Sequence, residues 1–310
     1  MNSTAFLYVS TILIWGSTWY AIKFQLGVVA PEVSLFYRFL LAAVVLLVYC
    51  VARSRRLRYS LSEHGFMFLQ GAFLFSINYL VFYMATASLT SGLVAVIFSG
   101  VVIMNIVNGW LFLKKPVDRL VLAGAVTGLA GIVLVFYREL FHLAENTGVL
   151  RGIGLSVLGT FLASLGNIIS SRNQSHGLPV LQTNAFGMAY GSLLMFLFIV
   201  FDGGVFAYDT SWQYSVSLIY LSLFGSVFAF GAYLTLIGRI GVDKAAYATV
   251  MFPLVALLIS TVFENYHWSV TSLCGVVLVV LGNLLINGRR QRQWLRRKLS
   301  GLMQSSTLEG

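Results

Sequence analysis

Residues 122–134 read LAGAVTGLAGIVL, and residues 273–285, 151 positions later, read LCGVVLVVLGNLL. Five positions coincide: Leu122 with Leu273, Gly124 with Gly275, Val126 with Val277, Gly131 with Gly282 and Leu134 with Leu285. Neither stretch carries a charge, and in both the glycines stand two helical turns apart on one face. Small residues at this spacing let membrane helices approach closely, which alone accounts for each glycine taken singly. The same apolar helix copied at a distance of half the chain is the trace of an internal repeat.

The composition around these two stretches sets the solvent. The chain has 310 residues, 58% hydrophobic and 10% charged, with a mean hydropathy of +0.86. Soluble domains carry about 25% charged residues, so soluble, collagen-like, disordered and coiled-coil classes are excluded. A bilayer crossing needs about 20 apolar residues. Ten stretches fit: 4–23, 32–52, 65–86, 91–113, 119–137, 152–172, 179–201, 213–237, 243–263 and 267–287. Their continuity excludes a barrel of strands of about 10 alternating residues. The expected fold is therefore an all-α membrane protein with ten transmembrane helices. Residues 1–150 form a first repeat of five spans, 151–288 a second, and 289–310 a basic tail. An odd number of spans per repeat inverts the second copy, a recurring plan in secondary transporters.

The loops give the orientation. With the amino terminus inside, the internal loops and the tail hold 16 of the 20 basic residues, while Lys23, Arg38, Arg138 and Arg151 remain external. By the positive-inside rule both termini are cytoplasmic. The amino-terminal stretch has no basic residue before its apolar run, so it reads as a retained helix and not a signal peptide. In a soluble chain a net charge of +10 would raise nucleic acid as a partner; here topology explains it and no nucleic acid is expected. The tail RRQRQWLRRKLSGLM reads either as an interfacial helix on anionic lipid headgroups or as a plain topology anchor. Cys50 and Cys274 lie in apolar runs and form neither a disulfide framework nor a metal cluster.

The order of several motifs resembles the EamA-type carriers of the drug/metabolite transporter superfamily. The first span runs Trp15-Gly16-Ser17-Thr18-Trp19-Tyr20-Ala21-Ile22-Lys23, followed by Pro31 and Arg38-Phe39. This is similar to the family's opening W-G-S/T…K and P…R-F. Ala87 to Gly92 resembles its junction between third and fourth spans, and Pro253 with Glu264 its ninth span. A departure is Lys114-Lys115, where the family commonly ends its fourth span with a glutamate. The resemblance covers nearly the whole chain. It implies a multi-pass carrier in a cell membrane, a bacterial inner membrane, that moves small metabolites, often amino acids outward, by alternating access.

Polar groups inside spans are costly and face the bundle interior. Here they are neutral, and the pathway candidates are Ser17, Asn78, Asn105 and Asn167, with Trp15, Trp19, Tyr79, Tyr83, Phe230, Tyr233 and Tyr247. An aromatic pocket with a few amides suits a neutral or zwitterionic solute of amino-acid size. The amides read equally as interhelical hydrogen-bond partners. Lys23 and Arg38 read either as cations snorkelling to the headgroups or as charges at the external mouth that attract a substrate carboxylate. Pro253 marks either a hinge or a structural kink. Glu32 and Glu264 are the candidate external coupling groups, and all ten acidic residues fall in loops or at span ends. Without a central acid, facilitated or weakly coupled transport is expected.

Other classes are weaker. No HExxH, CxxC or Walker sequence occurs, so neither an enzyme nor an ATP-driven pump is expected, and no cofactor or metal is called for. A carrier of organic anions or phosphorylated sugars needs several deep cations, which the span interiors lack. Carriers of other metabolites or drugs, or a non-transporting scaffold, are the alternatives.

Overall fold

The computed structural model of the chain describes residues 3–25, 27–86, 94, 97–135, 137, 147–263 and 268–285. The 87–92 junction, Glu264 and the basic tail lie outside the described residues. Those described are helical, with no strand among them.

The first helices are α1 (Thr4–Lys23), α2 (Pro31–Ala52), α3 (Leu61–Leu74), α4 (Ile77–Thr86), α5 (Val101–Leu113) and α6 (Arg119–Val135). Then come α7 (Thr147–Ser175), α8 (Val180–Phe201) and α9 (Trp212–Tyr220), which runs through a π-helical segment, Leu221–Phe228, into α10 (Ala229–Ile240). The last are α11 (Val242–Ala246), α12 (Ala248–Phe263) and α13 (Val270–Leu285). Local chemistry sets the boundaries. Ser3 caps α1 through Phe6 N at 3.1 Å, and Pro31 opens α2 where a missing N–H is harmless. Ser60 and Glu63 form a capping box on α3. Gly241, at φ 92°, makes the corner between α10 and α11.

Among the described residues, seven helical segments are long and apolar enough to cross a membrane, and Ile97–Leu113, Arg119–Val135 and Val270–Leu285 are shorter apolar helices. Surface and interior are reversed relative to a soluble protein. Val48, Phe201 and Val262 are 62, 85 and 72% exposed, whereas Gln70, Asn105 and Asn173 are fully buried. Apolar side chains on the outside match hydrocarbon, and the amides inside hydrogen-bond across helices. Gln70 Nε2 donates to Asn184 Oδ1 and Asn173 Nδ2 to Gln70 Oε1, both at 3.1 Å, tying α3 to α8 and α7.

Among the described residues four expected spans are interrupted, the 91–113 stretch at a turn on Gly100. The stretch expected as one helix over 65–86 breaks at Phe75-Ser76, where the Ser76 hydroxyl takes the carbonyl of Ala72 at 3.0 Å. The 213–237 stretch contains the π-helical segment, and the 243–263 stretch turns at Tyr247. Each break is bought locally with a side-chain or backbone partner, as a membrane interior requires.

Glycines permit the tightest seams. A Cβ on Gly131 of α6 would stand 2.6 Å from Gly275 O and 2.7 Å from Val279 N. One on Gly275 of α13 would stand 2.5 Å from Gly131 O and 2.7 Å from Val135 N. One on Gly282 would reach Gly124 O at 2.6 Å. The four glycines singled out in the sequence thus meet crosswise, Gly131 with Gly275 and Gly124 with Gly282, as in an antiparallel pair with a local two-fold relation. On α1, a Cβ at Gly16 would stand 3.0 Å from Phe252 O, so this glycine seats α1 against the Pro253 turn of α12.

Candidate functional site

A cavity of about 320 Å³ lies between helices from both ends of the chain. From α1 it takes Trp15, Thr18, Ile22 and Lys23, at i, i+3, i+7 and i+8 on one face. From α4 it takes Asn78, Tyr79, Phe82 and Tyr83, aimed there by the break at Phe75-Ser76. α7 adds Ala163 and Asn167, α10 Phe230 and Tyr233, α12 Thr249 and Phe252, and α2 a single residue, Arg38.

The aromatic wall is interlocked. The Trp15 ring meets Phe230 edge-on at 5.0 Å and Tyr233 at 4.9 Å, and its Nε1 donates to Gly225 O at 3.2 Å. Gly225 belongs to the π-helical segment, where wider turns leave carbonyls off the α-helical ladder. Asn167 Nδ2 donates to the Tyr233 hydroxyl at 3.1 Å. The amide oxygens of Asn78 and Asn167 are buried without a hydrogen-bond partner among the described residues. Pro253 has no N–H for the Thr249 carbonyl one turn back; the Ser99 hydroxyl reaches that carbonyl at 3.4 Å. Helix α12 runs through Pro253 without a break, and the freed carbonyl belongs to a cavity-lining residue.

Arg38 is 4% exposed. It stands in the third turn of α2, and its Nε donates to Ser226 Oγ at 2.9 Å. Its guanidinium lies 5.4 Å from the Phe39 ring centre and 5.3 Å from that of Tyr79. Against the expectation of cation-free span interiors, Arg38 is buried at the cavity and does not snorkel outward.

Of the pathway candidates, the cavity brings together Trp15, Asn78, Tyr79, Tyr83, Asn167, Phe230 and Tyr233, together with Lys23 and Arg38. It leaves out three. Ser17 bonds the Ile14 carbonyl and the Tyr220 hydroxyl, and Asn105 donates to Val242 O at 3.4 Å. Tyr247 donates to Val279 O at 2.8 Å, in the glycine seam. Glu32 sits in the first turn of α2, away from the cavity lining; the Trp19 side chain and Glu264 lie outside the described residues. Phe82, Phe98, Thr249 and Phe252 line the cavity without having been singled out as pathway residues. Phe82 was accessible to helical spacing, four residues after Asn78. The others needed the tertiary arrangement.

The sequence pattern of the EamA-like transporter family matches residues 2–137 and again residues 150–288. The chain belongs to this family. It is thus a multi-pass membrane protein of a transporter family within the drug/metabolite transporter superfamily. It is 25% identical over 299 residues to "Uncharacterized transporter YvbV" of Bacillus subtilis, covering 94% of this chain and 93% of that one. It is 24% identical to "Protein PagO" of Salmonella typhimurium, covering 91% and 92%. It is 27% identical to "Uncharacterized inner membrane transporter YedA" of Escherichia coli K12, covering 88% and 89%. A solved crystal structure superposes with a TM-score of 0.76 at 16% identity, covering 94% of this chain and 98% of its own, a likeness of fold.

Proposed function

We propose that this protein is a secondary transporter working by alternating access, with the aromatic cavity as its solute site. The observation that carries the reading is the origin of the lining, which comes from α1 to α4 on one side of the chain and from α7, α10 and α12 on the other. Rocking two such halves about a shared cavity opens it to one face at a time. In this reading the chain crosses the membrane ten times, as inverted halves 1–150 and 151–288, with both termini cytoplasmic. The crosswise glycine seam and the twofold family match support that arrangement. The membrane is a bacterial inner membrane, and the tail 289–310 rests on its anionic headgroups.

The volume lies at the lower end of the range of about 300–1,000 Å³ for small-molecule sites. An apolar body of amino-acid size suits it, and the Asn78 and Asn167 oxygens offer acceptors to a solute N–H. The solutes are amino acids or related compounds, moved outward.

Counterflow of a labelled amino-acid panel in proteoliposomes, with and without a pH gradient, tests the proposal. Saturable exchange that is lost in Trp15→Ala and Asn78→Ala, and indifferent to the gradient, is the expected result. A panel of which no member exchanges overturns the solute reading; strong gradient dependence overturns the uncoupled mechanism.

A further inference from the structure

We propose that Arg38 is the anchor for a carboxylate that the transported solute must carry. The proposal rests on the cavity being the solute site and adds the charge class that the site selects.

The argument begins with an ion in an unusual place. Arg38 is the eighth residue of α2, about 10 Å along the helix axis from its start at 1.5 Å per residue. It is 4% exposed and faces a cavity whose lining is otherwise mostly aromatic and aliphatic. Taking a guanidinium out of water costs several kcal/mol unless a counter-charge meets it. No such charge is present: among the described residues no carboxylate pairs with Arg38 or lines the cavity. Its partners are the Ser226 hydroxyl, the Tyr79 side chain and two aromatic faces, all neutral. Guanidinium carries five N–H donors, so these partners fix its plane and leave donors over. Two parallel N–H groups of a held guanidinium match a carboxylate in geometry as well as charge.

A second observation concerns the room left for the group. A Cβ on Gly225 would stand 3.2 Å from Arg38 Nη2 and 3.0 Å from Thr18 Cγ2. A side chain at this place in the π-helical segment would crowd the guanidinium edge. The same segment supplies Ser226, which orients Nε, and the Gly225 carbonyl, which holds Trp15. Arginine, its clamp and the aromatic wall are therefore one assembly.

The charge balance gives the selectivity. Among the described residues the cavity lining holds buried Arg38 and exposed Lys23 and no carboxylate. A solute with only an ammonium group is repelled. A phosphate dianion asks for several deep cations, and among the described lining residues one is deep. A single carboxylate on an apolar or aromatic body fits, whether or not an amino group is also present. Amino acids and amine-free carboxylic acids share this chemistry, and the test separates them.

Binding to the purified full-length protein in nanodiscs is measured for four compounds of similar shape: 3-phenylpropionate, L-phenylalanine, 3-phenylpropanol and phenethylamine. The two carboxylates are expected to bind at least ~30-fold more tightly than the alcohol and the amine, the lower end of what loss of a buried charge pair costs. Arg38→Gln removes the preference for acid over alcohol, and Arg38→Lys restores part of it. Should Arg38→Gln not fold, Gly225→Ala asks the same question by crowding Nη2, and is expected to weaken the acid while sparing the alcohol. An amine or alcohol that binds as well as the acid overturns the assignment, as does a full acid preference in Arg38→Gln, or no binding of either carboxylate. Counterflow separates this from the carrier reading. Carboxylates bound selectively but never exchanged keep Arg38 as the anchor and fail the carrier. Exchange without charge preference keeps the carrier and fails Arg38.

Discussion

The cavity and the glycine seam between α6 and α13 each join the first half of the chain to the second, but by opposite means. In the seam, backbone meets backbone, and the contact is reciprocal: Gly131 approaches Gly275 as Gly275 approaches Gly131. At the cavity, side chains meet across a void, and the buried cation comes from α2 alone. A contact made by backbone tolerates no added atom, whereas a wall of interlocking rings accepts substitution at the cost of what it binds.

The sharpest way to break this contrast is in the seam. Gly131→Val places a branched side chain where even a Cβ would stand 2.6 Å from a backbone oxygen. Overpacking costs about 1–3 kcal/mol and occasionally more, and with backbone on the far side the larger figure applies. The expected outcome is loss of a monodisperse species in size-exclusion chromatography. The reciprocity itself is tested more gently: Gly131→Ala and Gly275→Ala should lower stability equally, within about 0.5 kcal/mol, near the additivity error of independent sites. Unequal costs in thermal unfolding would remove the two-fold relation.

The opposite pattern is expected at the cavity. Trp15→Ala takes away two ring contacts and the bond to Gly225 O. Solute affinity should fall at least roughly tenfold, about 1.4 kcal/mol, with the thermal midpoint moved less than by Gly131→Val. A midpoint that collapses with unchanged affinity would make Trp15 a packing residue. The smallest effect belongs to Tyr247→Phe, which loses one buried bond to Val279 O, worth about 1 kcal/mol. The midpoint should drop by a few degrees while exchange kinetics stay unchanged. Altered solute affinity would return Tyr247 to the pathway.

The seam was legible in the sequence because a backbone contact leaves a mark: a Cβ has no room at Gly131, Gly275 or Gly282, and with Gly124 these stand at matched intervals. The cavity was legible in part. Trp15, Asn78, Tyr79 and Tyr233 were visible as polar or aromatic groups in apolar runs. Asn105 and Ser17 carried the same mark yet bond neighbouring helices, because an amide or hydroxyl in hydrocarbon needs a partner wherever it faces. Arg38 stayed open between two readings for a different reason. Seven residues from a helix start it reads as a headgroup cation, and only the packing of Tyr79 and Ser226 around it shows that the side chain turns inward. The breaks at Phe75-Ser76 and Leu221–Phe228 gave no signal, since neither contains a proline.

The π-helical stretch has a geometric corollary. Hydrogen bonds from i to i+5 enclose one residue more per turn than those of an α-helix. Tightening this stretch to α-helical winding by one residue would turn everything beyond it by about 100°. Phe230 and Tyr233 would then leave the cavity wall and Ser226 the guanidinium. Eight residues of slack winding thus set both the hold on Arg38 and the position of the aromatic wall.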